Sequence, residues 1–179
     1  MKKMIATFAI AAALLVMPAV SQAAENALTF GVIDMGRVMK ETEAAKGIFT
    51  ALESKRSEYE KQIQKEGDTL AQLEKDIIAK KPKMSEEEFN KARKDFEEKL
   101  VKAQKMVQER KQTLDKGMAD GINKLRAESA KITADVAKER GYAVVLTQDA
   151  VVLAQPALDV TDEVVKRLNA KVKKIDIKW

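Results

Sequence analysis

The sequence predicts an α+β protein in which a small body of β-strands carries a long antiparallel helical hairpin, a coiled coil folded back on itself. Three observations predict it. Of 179 residues, 34% are charged and 4% aromatic, with only 7 Gly and 3 Pro, the composition of long solvated helices rather than of a compact catalytic core. Two long stretches keep an apolar heptad pattern, and the two mirror each other about Lys83. Short β-branched apolar runs stand before the first stretch and after the second. The expected organisation is an export signal (1–23), the first strand of the body (24–37), the hairpin arm (38–138, tip 80–85), a strand pair with a short helix (139–170) and a tail (171–179).

The first segment reads as an address. Met1-Lys2-Lys3 is a basic start, Met4 to Met17 is apolar, Pro18 breaks the run, and Ser21 and Ala23 fit the small-residue positions of a cleavage site after Ala23. The alternative is an uncleaved anchor, but an apolar run below ~20 residues followed by Pro spans a bilayer poorly. Periplasmic localisation is therefore expected. Losing Lys2 and Lys3 takes the net charge from +5 to +3, so any preference for anionic partners must come from local clustering. With no His and no Cys, the chain has no imidazole base, thiol nucleophile, disulfide or ordinary zinc or haem site. That inventory argues against an enzyme, and no cofactor is expected.

Leu28-Thr29-Phe30-Gly31-Val32-Ile33-Asp34 suits a strand. From about Gly36 the period becomes helical. Thr42, Phe49, Arg56, Ile63, Leu70 and Ile77 fall at heptad position a, and Ala45, Leu52, Tyr59, Glu66 and Leu73 at d. Pro82 ends this helix, and Ser85 with Glu88 forms a capping-box pattern that starts the next. Its seam carries Phe89, Phe96, Ala103, Arg110 and Gly117 at d, and Arg93, Leu100, Val107, Leu114 and Gly121 at a. Ile77–Phe89, Leu70–Phe96, Ile63–Ala103, Tyr59–Val107 and Leu52–Leu114 are each symmetric about Lys83, so two independent patterns agree on one antiparallel register. Some 40 residues per arm reach about 60 Å.

The register also exposes weak layers. Arg56 faces Arg110, like charges that repel, with Glu53, Glu60 and Glu109 near enough to neutralise them in part. Phe49 faces Gly117 and Ala45 faces Gly121. Either the large side chain fills a gap, or the two glycines, beside a four-residue stutter in the apolar spacing, form a hinge.

Arg140-Gly141 reads as a helix stop. Tyr142-Ala143-Val144-Val145-Leu146-Thr147 and Ala150-Val151-Val152-Leu153-Ala154 then read as two strands of a hairpin, and Asp159 as the cap of a helix through Val160, Val164, Val165 and Leu168. A body this small buries little surface alone, and its nearly continuous apolar strands want cover on both faces, so oligomerisation is expected. Ile175, Ile177 and Trp179 alternate, which suits an added strand.

Gly31-Val32-Ile33-Asp34-Met35-Gly36, the two apolar runs 143–146 and 150–153, and Asp159-Val160-Thr161-Asp162-Glu163-Val164-Val165-Lys166 resemble the Skp (OmpH-like) family of periplasmic chaperones, over about residues 28–169. The resemblance implies a homotrimer. Strands of three chains would form an intersubunit β-barrel, through Val32, Ile33, Val144, Val145, Leu146, Val151, Val152 and Leu153, with three hairpins around a cavity. It implies an ATP-independent holdase whose partners are unfolded outer-membrane proteins. Apolar residues off the heptad seam are the client-contact candidates: Ile48, Ile78, Met84, Val101 and Met106. Interchain packing or ordinary surface exposure explains them equally well. Lys80, Lys81 and Lys83 at the tip suit anionic lipid, lipopolysaccharide or acidic client loops, or are simply a solvated turn. The basic clusters lack interleaved aromatics, so nucleic acid is not an expected partner. The other functional class is a structural coiled-coil spacer or adaptor of the cell envelope. A spacer needs attachment domains at both ends of its rod, whereas this hairpin returns both arm bases to one body.

Overall fold

The computed structural model describes residues 29–179, so the export signal and Leu28 lie outside the described residues. β1 (Phe30–Ile33) leads into α1 (Met35–Glu41), whose first turn is capped by Asp34: its carboxylate accepts from Arg37 N–H at 2.9 Å. Thr42 then separates α1 from α2 (Glu43–Lys80). Its hydroxyl donates to the Val38 carbonyl (2.9 Å) and accepts from Ala45 N–H (3.3 Å). One side chain thus closes one helix and opens the next, which lets a polar residue sit fully buried there.

A single 3-10 turn, Lys81–Lys83 with Pro82 inside it, reverses the chain. Ser85 and Glu88 form the expected capping box: Glu88 N–H donates to Ser85 Oγ (3.2 Å), and Ser85 N–H to Glu88 Oε2 (2.8 Å). α3 (Glu86–Arg140) runs 55 residues without a break, about 82 Å at the usual rise. It stops at Gly141, whose left-handed φ of 69° lets its N–H close the last turn on Ala137 and Lys138.

β2 (Val144–Thr147) lies parallel to β1, Phe30 opposite Val144 and Ile33 opposite Thr147. This corrects the expected pairing within 143–154. Gln148–Ala150 is a 3-10 turn, Val151 to Ala154 form no strand, and Val152 and Leu153 stand in solvent. β2 has taken β1 as its partner instead. The other edge of β1 meets the 159–160 segment, where Val160 N–H donates to the Val32 carbonyl at 2.9 Å. The second apolar run is left with no strand to pair with among the described residues.

α4 (Thr161–Lys171) follows, with Asp159 accepting from Thr161 N–H at 2.8 Å. It is the keystone of the body. Val164 and Leu168 on α4, and Val160 just before it, pack against Ile33, Val38, Ile132 and Val136. Val38, Ile132 and Val136 therefore belong to the body rather than to an arm spanning 38–138. A second cluster, Ala44, Ala45, Ile48 and Leu125, sits where the arms emerge, and Leu52, Ile175 and Ile177 pack against it. Each fully buried aliphatic side chain contributes roughly 1.5–3 kcal/mol, so two small clusters make a modest core. The tail, 172–179, forms no added strand; it runs along the base of the hairpin.

Ion pairs fasten the same junction from outside. Arg37 on α1 reaches Glu41 (2.9 Å) and Asp162 (2.7 Å). Arg167 on α4 donates to Glu139 (2.7 Å) and to Glu163, and Glu163 also takes Arg140. Hydrogen bonds from Arg167 hold Glu139, and those from Arg140 and then Arg167 hold Glu163, below the ordinary glutamate value of 4.5.

Leu168→Ala is expected to destabilise the fold by roughly 2–5 kcal/mol, read by urea unfolding. The clasp adds a pH dependence. Both glutamates ionise more readily folded than unfolded, so their contribution is complete above about 4.5 and is lost as pH falls through their lowered folded values. The thermal midpoint should drop over that acid window, and less so in Glu163→Gln.

Candidate functional site

Midway along the arms the weak layer of the expected register lies open. Phe49, Leu52, Arg56, Tyr59 and Ile63 of α2 face Val107, Arg110, Leu114 and Met118 of α3 across an open cleft of about 720 Å³. Leu52–Leu114, Tyr59–Val107 and Arg56–Arg110 meet at this one place, as the symmetry about Lys83 requires. Two like charges cannot close a dry seam there. Arg56 turns outward to Glu60 (3.1 Å). Arg110 lays its guanidinium 4.6 Å over the Tyr59 ring and leaves its Nε buried without a hydrogen-bond partner. Lys55 covers the same ring at 5.1 Å. Glu109, expected to help neutralise the layer, instead takes Lys105 at 3.7 Å. The result is a mainly apolar recess whose wall carries Arg56, Arg110 and Lys111 beside Glu53, Glu60 and Asp115, its lip marked by the exposed Phe49, Val107 and Met118. Heptad reading assigned Phe49 and Val107 to the closed seam and gave Met118 no seam position, so it passed all three over. The signal that could have found them was the arginine layer itself.

The two glycines have a different occupant from the one expected. Phe49 does not fill the gap at Gly117; it is 49% exposed at the cleft. A Cβ at Gly117 would lie 2.8 Å from the Trp179 ring, and one at Gly121 would lie 3.0 Å from Ile48 and 3.5 Å from Ile177. Gly inside a helix costs roughly 1 kcal/mol relative to Ala. Close approach of the tail and of Ile48 accounts for both residues, a reason the hinge reading did not supply.

Of the client-contact candidates, Ile78 and Val101 are 65% and 62% exposed, while Met84 and Met106 are half-buried. Ile48 is a correction. It is 1% exposed and packs on Gly121, because near the base α2 is covered by the tail as well as by α3, and its buried face widens beyond a two-helix seam. At the tip Lys80, Lys81 and Lys83 are exposed, and among the described residues none forms an ion pair; Lys81 lies 5.0 Å over the Phe89 ring. In the body Val32 and Ile33 are buried within the chain, whereas Val144, Leu146, Val152 and Leu153 remain exposed beside Phe30. The structure does not gather these residues into one site. It distributes them over cleft, arm, tip and body. Among the described residues no cluster suited to a metal ion occurs, and no helix is long and apolar enough to cross a membrane.

Residues 29–168 match the family described as outer membrane protein (OmpH-like). The chain belongs to the OmpH-like family. A solved OmpH-like structure from Caulobacter crescentus CB15, described as an outer membrane chaperone, superposes with a TM-score of 0.78 at 21% identity. The match covers 83% of this chain and 88% of that one, and at such identity it speaks for the fold. No curated protein matches the sequence. The family match ends within α4, so the tail of this OmpH-like chain lies beyond it.

The arginine layer makes a quantitative prediction. Leaving Arg110 Nε unpaired costs roughly 1–3 kcal/mol, more than the ~0.5–1 kcal/mol its stacking on Tyr59 returns. Arg110→Leu should therefore stabilise the arm by about 1 kcal/mol, roughly a fivefold rise in amide-exchange protection from 107 to 114.

Proposed function

We propose that this chain is an ATP-independent periplasmic holdase that keeps unfolded outer-membrane proteins from aggregating, in a cavity between the helical arms of a homotrimer. The observation that carries the reading is the route of the hairpin. α2 starts and α3 ends against the same helix α4, while the tip at Lys81–Lys83 is exposed. A rod with both bases in one body encloses space when several copies stand together. It does not span between two attachments, as an envelope spacer must.

The chemistry of the client explains why helices suit the task. An unfolded β-barrel protein exposes alternating apolar residues and open strand edges, and it aggregates through both. Helical arms satisfy their own backbone groups and offer no edge for pairing. What they offer is shallow, scattered apolar surface: Ile78 and Val101 along the arms, Phe49, Val107 and Met118 at the cleft, with the more adaptable Met84 and Met106 half-buried nearby. Contacts of that kind are individually weak, so a client stays mobile and can leave without an energy source. Lys80, Lys81 and Lys83, exposed at the tip, would meet anionic lipid, lipopolysaccharide or acidic client loops.

Assembly into a trimer is supported by what one copy leaves unfinished. The outer edge of β2 has no partner strand among the described residues, and Phe30, Val144, Leu146, Val152 and Leu153 lie exposed around it. A barrel built from three bodies covers these residues and gives the 150–154 segment the neighbour it lacks.

Native mass spectrometry combined with refolding light scattering tests the reading. The expected result is a trimer that suppresses scattering of a urea-diluted outer-membrane barrel at about one trimer per client. A monomer, or a trimer that leaves scattering unchanged, removes the holdase and leaves the spacer. Val144→Asp with Leu146→Asp should abolish the trimer and the suppression together.

A further inference from the structure

We propose that the groove at the base of the hairpin, now filled by the tail, is a binding site for an extended peptide whose apolar residues alternate with polar ones, and that the tail is its displaceable resident. As a reading of client chemistry, this rests on the holdase function proposed above.

The tail is built like the segment it would give way to. Ile175 and Ile177 are half-buried and face the helices, Asp176 and Lys178 face water, and Trp179 lies over Gly117. Burial of period two belongs to an extended chain. An alternation of apolar and polar residues is also the pattern of a membrane β-barrel strand. The groove fits such a chain at two levels. Gly117 and Gly121, one helical turn apart, leave the floor open where Trp179 and Ile177 enter. At the walls, Asp120 accepts from Lys178 N–H (3.0 Å) and Lys124 Nζ donates to the Asp176 carbonyl (2.6 Å). One wall group reads a backbone donor and the other a backbone acceptor. Neither asks for a particular side chain.

Side chains supply the hold, through Ile175 and Ile177 on the base cluster and Lys173 on Glu43 at 3.5 Å. Among the described residues no backbone–backbone hydrogen bond ties 173–179 to the helices, and the Trp179 ring is 46% exposed. The ring lies 6.0 Å from Lys55 Nζ, the ammonium that also covers Tyr59 in the wall of the cleft. A peptide lying in the cleft and continuing toward the body meets Trp179 first. The family match stops at residue 168, before the tail.

Trp179 is the only tryptophan in the chain, so its fluorescence reports the groove directly in the full-length protein. The probes are a synthetic peptide Lys-Ile-Asp-Ile-Lys-Phe, an isomer of it with the apolar residues clustered, and a Trp-free unfolded outer-membrane barrel diluted from urea. The alternating peptide should shift Trp179 emission to the red and raise its acrylamide quenching about twofold, saturably, while the clustered isomer should not. Gly117→Ala is the internal control. The atoms nearest its new methyl belong to the Trp179 ring and the Ile177 side chain, and Ala favours helix. The variant should thus start with a quenched, red-shifted Trp179 at undiminished helicity and change little on adding peptide. Trp179 emission unchanged at saturating peptide, or equal responses to both isomers, overturns the proposal. The barrel separates the two readings. Suppressed scattering with Trp179 undisturbed sinks the groove and spares the holdase. A peptide response without suppression does the reverse.

Discussion

One ladder of parallel pairing fixes everything else in this chain. β1 and β2 lie side by side in register, although some 110 residues of helix separate them in sequence. Parallel neighbours need a crossover, and here the crossover is the whole arm. Closing so long an excursion carries an entropic cost that grows only slowly with length, so a long hairpin is little harder to close than a short one. The closure must still be held. α4 does this by packing Val164 and Leu168 between Val38 near the start of the excursion and Ile132 and Val136 near its end. The ion pairs of Arg37, Arg140 and Arg167 fasten the same three helices at the surface. Arm geometry is thus decided at the base, where both rods leave one small core.

From that base outward the structure loosens in steps. Two clusters of buried aliphatics give way to the arginine layer, and beyond it the arms rest on a two-helix seam of which Tyr59 and Leu70 are the only fully buried members among the described residues. A coiled coil of two short-contact helices has little else to hold it together, so a defect at Arg56–Arg110 costs a sizeable fraction of arm stability. That defect is also what opens the apolar cleft. An arm packed tightly throughout would have no such recess, so the cleft that the proposed function uses exists at the expense of arm stability.

Local chemistry was legible in the sequence, and packing by distant elements was not. The Ser85–Glu88 capping box, the stop at Gly141, the turn at Pro82 and the symmetry about Lys83 each depend on residues within a few positions or on one repeated period. The first three stand as expected, and the symmetry gathers its expected residues around the cleft, although at the base Gly121 meets Ile48 rather than Ala45. Ile48 and the glycine pair depend on a tail some 60 residues or more away in sequence. No heptad argument could see that a third element covers α2 at the base. The strand expected at 150–154 failed for a related reason. Its apolar β-branched residues describe a wish for a partner, and a single chain does not contain one. The open candidates, Ile78 and Val101, were found simply by lying off the seam.

The exposed edge of β2 and the bare Val152 and Leu153 pose the same hazard that an unfolded barrel poses to itself. A chaperone for β-rich clients that displayed such an edge would template the pairing it exists to prevent. In the trimer proposed above, bodies that pack together would close those strands off without adding a single residue to the chain. Completion of the body and safety of the arms are then one requirement. In that proposed assembly the open edge of β2 would be covered, and what faces a guest would be helix.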